Sequence, residues 1–271
     1  MRKVDKNKIF PHPPDSLNSD RTNNLRNDII REKKYPKDEK KYDDRYRTED
    51  IKEALKAIYH DKCAYCEKNI KDTNFHIDHH RPKAIYYWLA YSWDNLLLCC
   101  DKCNLKKGDT FDIQGKKRAG FNPNDLKDIH NLTPEYNKIE KPLLVNPELE
   151  DVEDKLIFDW KTGDIDSHDP RCRYTIECCE LDRKEANEKR QKIWDDFYKR
   201  VCSGLFKISV LKRKFEKKEI DADDYKVKYH EYMGELKARI RDFRDDAFDP
   251  CKEYLAFRCY IVKNNEWFKA K

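Results

Sequence analysis

The 271 residues carry 58 lysines and arginines against 53 acidic side chains, a formal charge of +5, with 41% charged and 38% hydrophobic residues and a mean hydropathy of −1.09. No apolar run approaches the roughly 20 residues that cross a bilayer, and the start MRKVDKNKIF lacks the apolar stretch of a secretory leader, so a cytoplasmic, non-membrane protein is expected. The mild positive excess permits contact with nucleic acid without indicating it, since most charge runs are solvated surface, and the modest apolar share suits thin cores rather than one deep core.

Residues 1–47 hold the cluster Pro11, Pro13 and Pro14 and the mixed-charge run REKKYPKDEKKYDDRYR. With little apolar periodicity, they read as an extended arm with one short helix, ordered by lying on something else. From Thr48 a helix is expected, because Ile51, Ala54, Leu55, Ile58 and Tyr59 recur at helical spacing before the first cysteine pair. Residues 48–125 are taken as the metal-bearing core. In the connector, 126–175, the pieces LLVNP and LIFDW followed by TGDI around Gly163 suggest a short strand pair. Residues 176–271 read as helical. There Ile193, Trp194, Phe197, Tyr198 and Val201 form a core-type stripe, and Asp249 and Pro250 mark the start of a last helix.

The chemistry concentrates in the core. Eleven cysteines is an odd number, and four of them form two Cys-x-x-Cys pairs, Cys63 with Cys66 and Cys100 with Cys103. In a reducing compartment that spacing indicates metal rather than disulfides: each turn presents two thiolates, and two turns close a tetrahedral zinc site with no open position. Such a zinc is structural. Cys99 fits a core role, because only Cys100 restores the two-residue gap. Between the pairs lies His76-Ile-Asp78-His79-His80-Arg81-Pro82-Lys83, then Trp93-Asp-Asn95, and after Cys103 come Asn104, Lys106 and Lys107.

This ordered set resembles the HNH nuclease family, whose core is two strands and a helix around a catalytic divalent cation. The resemblance implies an α+β, mainly helical chain with a small ββα-metal core, a four-cysteine zinc site, an N-terminal arm and C-terminal helices. It implies His79 as the general base toward water, which suits an imidazole of ordinary pKa about 6.5. Asp78 and Asn104 are implied as ligands of the catalytic cation, their oxygens favouring Mg²⁺ or Mn²⁺. Asn95 is implied as the residue that keeps the loop and the His79 ring in register. Lys83, Lys106 and Lys107 are expected to contact phosphates, the last two from near the start of the helix. Whether His76 reaches the cation stays open.

Further strings, Tyr91-x-Trp93-x-Asn95-Leu96, Leu143-Leu144-Val145-Asn146-Pro147 and Tyr174-Thr175-Ile176 leading to Leu181-Asp182-Arg183, are similar to the PtuB nucleases of Septu and retron-associated anti-phage systems. That branch implies an ABC-class ATPase partner of the PtuA type and a nucleic-acid substrate, DNA ahead of RNA or tRNA. The six glycines form no phosphate-cradling loop, so ATP dependence is expected to reside in the partner. The competing expectation is a non-catalytic zinc module that binds nucleic acid or serves as an adaptor.

Overall fold

A computed structural model describes residues 1–36 and 39–269; Lys37 and Asp38 of the expected arm, and Ala270 and Lys271 of the expected helical region, lie outside the described residues. The chain forms two compact units, one of Met1–Leu156 with Asp166–Asp182, the other of Ile157–Ile165 with Arg183–Lys271. Among the described residues no helix is long and apolar enough to cross a membrane.

The first unit begins with helix α1 (Lys6–Ile9), capped by the Asp5 side chain. Lys6 is buried, and its Nζ donates to the carbonyls of Trp93 at 2.8 Å and Leu96 at 2.7 Å while pairing with Glu148 at 2.8 Å. An ammonium taken out of water costs several kcal/mol, roughly, unless its donors are filled. Here they are. Burial pushes Lys6 down and Glu148 up in pKa, each toward its neutral form, and their pairing opposes both shifts.

The arm is more helical than its sequence suggests. Helix α2 (Asp20–Glu32) starts at Ser19, whose side chain accepts from Thr22 N, and ends at left-handed Lys33. Its buried face is Thr22, Arg26 and Ile29. Two of those three are polar, so apolar periodicity could not reveal it; Arg26 fits inside because Nη2 donates to the carbonyls of Leu17 and Tyr91. A short α3 (Lys40–Asp43) precedes α4 (Glu49–Tyr59). In α4 the expected stripe, Ile51, Ala54, Leu55, Ile58 and Tyr59, is buried in full, each large aliphatic contributing about 1.5–3 kcal/mol. Thr48 occupies the N-cap position, although its hydroxyl bonds Ser16 Oγ at 2.7 Å.

Strands β1 (Phe75–His79) and β2 (Leu96–Cys100) pair antiparallel, with Asp78 opposite Leu97 and His79 opposite Leu96. Every residue of β2 is buried, which is why it reads as the unbroken apolar run LLLCC. The chain turns directly into α5 (Asp101–Lys107), completing a ββα unit. Lys106 and Lys107 were expected near the start of this helix. It begins at Asp101 instead and Gly108, at φ +48°, ends it, so both lysines fall in the last turn.

Helix α6 (Thr133–Glu140) follows, and then strands β3 (Leu156–Phe158) and β4 (Ile165–Ser167) pair across the turn at Gly163. Gly163 has φ +80°, and a Cβ there would meet Asn187 O at 2.1 Å, so only glycine fits. The string LLVNP is not a strand; it is irregular, with Asn146 Oδ1 accepting from Glu148 N. Helix α7 (Pro170–Cys178) is capped by Asp169, which accepts from the amides of Arg171 and Cys172.

The second unit is built on α8 (Lys184–Glu216) and α9 (Ala222–Phe248). Their partners run in opposite order: Phe197 meets Phe243, Lys207 meets Glu235, and Phe215 stacks on Tyr225. The helices are therefore antiparallel. From the expected stripe, Trp194, Phe197 and Val201 are buried, whereas Tyr198 remains 45% exposed. No helix starts at Pro250. Asp249 closes α9, its carboxylate accepts from Cys251 N in a local turn, and α10 (Leu255–Asn264) begins after left-handed Tyr254. The Asp-Pro pair thus makes the connection rather than a cap, because the carboxylate serves a turn amide.

Candidate active site

Two groups of side chains meet within the ββα unit. The first is the four cysteines. Cys63 and Cys66 sit on a turn where Glu67 N donates to Cys63 O, pinned to β2 by Ala64 N donating to Leu98 O at 2.8 Å. Cys100 ends β2 and Cys103 lies in α5. All four are buried, and their sulfurs lie within 4.8 Å of one another, with Cys66 and Cys100 at 3.7 Å. A tetrahedron of thiolates at zinc distance has edges of about 3.8 Å. The cluster therefore fits one zinc ion and leaves no open coordination position. Burial would keep the Cys63 thiol protonated, but hydrogen bonds from Cys100, Cys103 and Cys66 outweigh it and hold its pKa well below that of a free thiol. Cys99 lies 4.0 Å from Cys63 yet outside the mutual group of four.

The second group surrounds Asp78 and His79. Asp78 is buried, with Tyr65 Oη donating to Oδ2 at 2.9 Å and Lys107 Nζ donating to Oδ1 at 3.0 Å. The same Nζ donates to His79 O at 2.7 Å. Burial raises the Tyr65 pKa well above the ordinary phenol value, so Tyr65 remains a donor. A carboxylate offers about four lone-pair sites, so these two bonds leave capacity on each oxygen. Asn104 lies one turn before Lys107 in α5 and therefore on the same helix face, half-buried. A carboxylate and an amide oxygen form a hard donor set, which fits a cation such as Mg²⁺ or Mn²⁺.

His79 ends β1, and its ring meets the Tyr46 ring edge-on at 4.5 Å. Nε2 lies 2.9 Å from the carbonyl of Ala90. A carbonyl only accepts, so the neutral ring carries its proton on Nε2 and presents its lone pair at Nδ1. The ordinary pKa expected of His79 does not hold here: burial, with Lys83 adding to it, pushes it down to about 3, so the ring is neutral at physiological pH but a weaker base than a free imidazole.

Asn95 is buried and its amide is fully used: Oδ1 accepts from Arg81 N at 2.7 Å, and Nδ2 donates to the carbonyls of Arg81 and Leu89. Leu89 immediately precedes Ala90, so one amide fixes the segment whose carbonyl orients His79. Arg81 in turn forms a buried pair with Glu140 of α6 at 2.8 Å, and Glu140 also accepts from Tyr86 Oη and Ala119 N.

The three lysines fare differently from one another. Lys83 is engaged by the arm: Nζ lies 2.7 Å from Asp43 and 2.8 Å from Tyr46 Oη, and burial lowers its pKa against the pull of Asp43. Lys106 is about half exposed and pairs with Glu180 at 3.0 Å. Lys107, expected to contact phosphate, is 1% exposed and occupied by Asp78, so in this structure it is an internal counter-ion. His76 is half-buried and pairs with Asp101. His80 faces inward against Phe111, with no well-formed hydrogen bond at either ring nitrogen.

Tyr65, Tyr46 and Asp43 belong to this site and escaped the sequence reading. Tyr65 could have been found, as the one side chain with a donor between two predicted zinc ligands. Tyr46 and Asp43 carry no local signal, since they reach His79 and Lys83 across more than thirty residues.

Comparison with known proteins agrees with this geometry. The HNH endonuclease family profile matches residues 63–119. The chain is 30% identical over 209 residues to the Septu protein PtuB of Bacillus mycoides (strain KBAB4), covering 70% of this chain and 67% of that protein. It is 40% identical over 75 residues to the Septu protein PtuB of Bacillus thuringiensis, covering 27% and 28% of the two chains. A third match, 25% identical over 162 residues, is to the Septu protein PtuA of Bacillus mycoides (strain KBAB4) and covers 54% of this chain and 21% of that protein. No solved structure matches significantly. By its ββα core, its cysteine cluster and its similarity across most of its length, this chain belongs to the PtuB family of HNH nucleases.

Proposed function

We propose that this protein is a metal-dependent HNH endonuclease that hydrolyses phosphodiester bonds, acting in anti-phage defence together with an ABC-class ATPase of the PtuA type. The observation that carries the reading is the end of β1, where the Asp78 carboxylate keeps lone-pair capacity beside its two donors and the next residue, a neutral His79, has Nδ1 left to accept a proton.

In this mechanism Asp78 and Asn104 would hold a divalent cation, which would supply Lewis-acid stabilisation of negative charge at the scissile phosphate. His79 Nδ1 takes a proton from the attacking water as the water oxygen bonds phosphorus, the P–O bond to the departing 3′ oxygen breaks, and that oxygen is protonated from solvent. Ala90 O, bonded to Nε2–H, keeps the ring in the tautomer that this step needs. Asn95 holds the Leu89–Ala90 segment and so keeps that acceptor in place. Lys106, at the surface, is the lysine best exposed to touch a polyanion, whereas Lys83 and Lys107 are paired with Asp43 and Asp78. The four cysteines would hold a structural zinc that sets the turn and helix on which these groups stand.

Both the PtuB and the PtuA relatives carry the Septu name, which supports a PtuA-type partner for this chain. DNA is the first expected substrate, with RNA or tRNA as the alternative. The test is cleavage of plasmid and of transfer RNA with Mg²⁺ or Mn²⁺ in the presence of the ATPase partner, comparing the natural protein with His79→Ala. Equal cutting by the two proteins removes the assignment.

A second reading draws on a specific observation: Asp78 and Lys107 are mutually satisfied and buried, as in a purely structural ion pair. It makes the protein a non-catalytic zinc module that binds nucleic acid or acts as an adaptor. Nucleic-acid binding without turnover, unchanged in Asp78→Ala, would favour it.

A further inference from the structure

The clamp on Asp78 has an arrangement that the proposed chemistry does not by itself require. Its two donors come from the two halves of the cysteine cluster. Tyr65 stands between Cys63 and Cys66, and its hydroxyl meets Asp78 Oδ2 at 2.9 Å. Lys107 stands one helical turn beyond Cys103, and its ammonium meets Oδ1 at 3.0 Å. Tyr65 is completely buried and Asp78 nearly so, which leaves water little access to replace either donor. The backbone around Tyr65 is also fixed, through Ala64 N on Leu98 O and Glu67 N on Cys63 O.

We propose that Tyr65 is a positioning residue, whose hydroxyl sets the orientation of the Asp78 carboxylate and ties it mechanically to the cysteine turn. This rests on the reading of Asp78 as a ligand of the catalytic cation. A carboxylate can rotate about its last bond. A phenol anchored by two zinc ligands removes that freedom on one oxygen, and Lys107 removes it on the other. The remaining lone pairs are then aimed before a cation arrives. The lysine supplies charge as well as direction and so opposes a second cation, whereas the phenol supplies direction alone. Tyr65 is therefore the residue whose loss reads out orientation without altering charge. Removal of an outer partner of a metal-binding carboxylate or imidazole typically weakens metal affinity about 10–100-fold.

The experiment uses the full-length, zinc-loaded chain and compares the natural protein, Tyr65→Phe and Asp78→Asn. Mn²⁺ binding is followed by the electron paramagnetic resonance signal of the free ion, alongside zinc content, thermal midpoint and cleavage rate with the ATPase partner. Tyr65→Phe keeps the ring in place and deletes only the oxygen. The expected result is full zinc content and Mn²⁺ affinity reduced fivefold or more, roughly within the range typical of such partners, with a matching loss in turnover. An affinity change below about fivefold, on the same scale, with zinc intact would overturn the proposal. So would loss of zinc in Tyr65→Phe, because the hydroxyl would then serve the fold rather than Asp78. If the natural protein and Asp78→Asn bind Mn²⁺ equally, it is the functional reading of Asp78 that fails, a result distinguishable from either of the others.

Discussion

The two halves of the site are both buried, yet they are satisfied in opposite ways. The four cysteines face one another, their sulfurs within 4.8 Å and those of Cys66 and Cys100 at 3.7 Å. As zinc-bound thiolates they would be balanced by the cation itself. Asp78, by contrast, already holds a phenol and an ammonium, and His79 already holds a carbonyl and an aromatic edge. On the proposed function, the first half would need its zinc to close as a structure, whereas the second already has protein partners around Asp78 and His79 and would need its cation only to act. Where a protein supplies its own counter-charges marks what it can do without.

The comparison is most exposed to metal removal. Stripping zinc, or the change Cys103→Ser, is expected to unfold the ββα unit, since structural zinc in small domains contributes about 10–16 kcal/mol. Removing divalent cations with zinc retained should leave circular dichroism and the thermal midpoint nearly unchanged. If zinc loss proves harmless, the contrast between the halves collapses.

Next in size is His79→Ala, expected to lower the cleavage rate by about 10²–10⁴-fold, the range for a general base, with zinc content and fold preserved. Unfolding of that variant would mean that the second half is not preassembled independently of its imidazole.

A smaller effect concerns protonation. His130 Nδ1 accepts from Trp93 N at 3.0 Å and Nε2 meets Asn18 Oδ1 at 2.9 Å, so the neutral ring braces the β2 approach. Burial, with Arg26 nearby, lowers its pKa to about 4. A depressed folded pKa means that this bracing is fully present above the unfolded value near 6.5 and is lost as pH falls from there toward 4. Denaturant unfolding should show a loss of at most about 3 kcal/mol across that window, reduced in His130→Asn, whose oxygen can replace Nδ1 as acceptor. An unchanged pH profile in His130→Asn would assign the acid sensitivity elsewhere.

The smallest expected change is in stability for Lys106→Ala. Its pair with Glu180 is exposed, and such pairs contribute about 0–1 kcal/mol. Chemical denaturation should barely register it, while substrate affinity at low salt should fall if Lys106 touches phosphate. A large drop in stability would show that the surface lysine is structural after all.

What could be read from the sequence follows the range of each interaction. The α4 stripe was legible because helix periodicity is a property of neighbours, and the cysteine quartet was legible because each half is a four-residue turn. Asp78, His79 and Asn95 were singled out from their order between those turns and Asn104 from its place just after the second; the groups that hold Asp78 and His79 were not foreseen. Lys107 looked like a surface lysine because nothing in its own neighbourhood announces the carboxylate on β1 that buries it. Helix α2 stayed hidden because it buries an arginine and a threonine on its inner face. The cap expected at Asp249 failed because an Asp-Pro pair serves a turn as readily as a helix start.

The buried charges also decide how much sequence the cleavage motif needs around it. Segment 63–119, the stretch matched by the family profile, relies on outside residues for its inner polar groups: Lys6 fills the carbonyls of Trp93 and Leu96, Glu140 neutralises Arg81, and Asp43 answers Lys83. Excised as a cassette, it would carry a guanidinium with no counter-charge and carbonyls with no donor. The motif is portable on paper and anchored in practice.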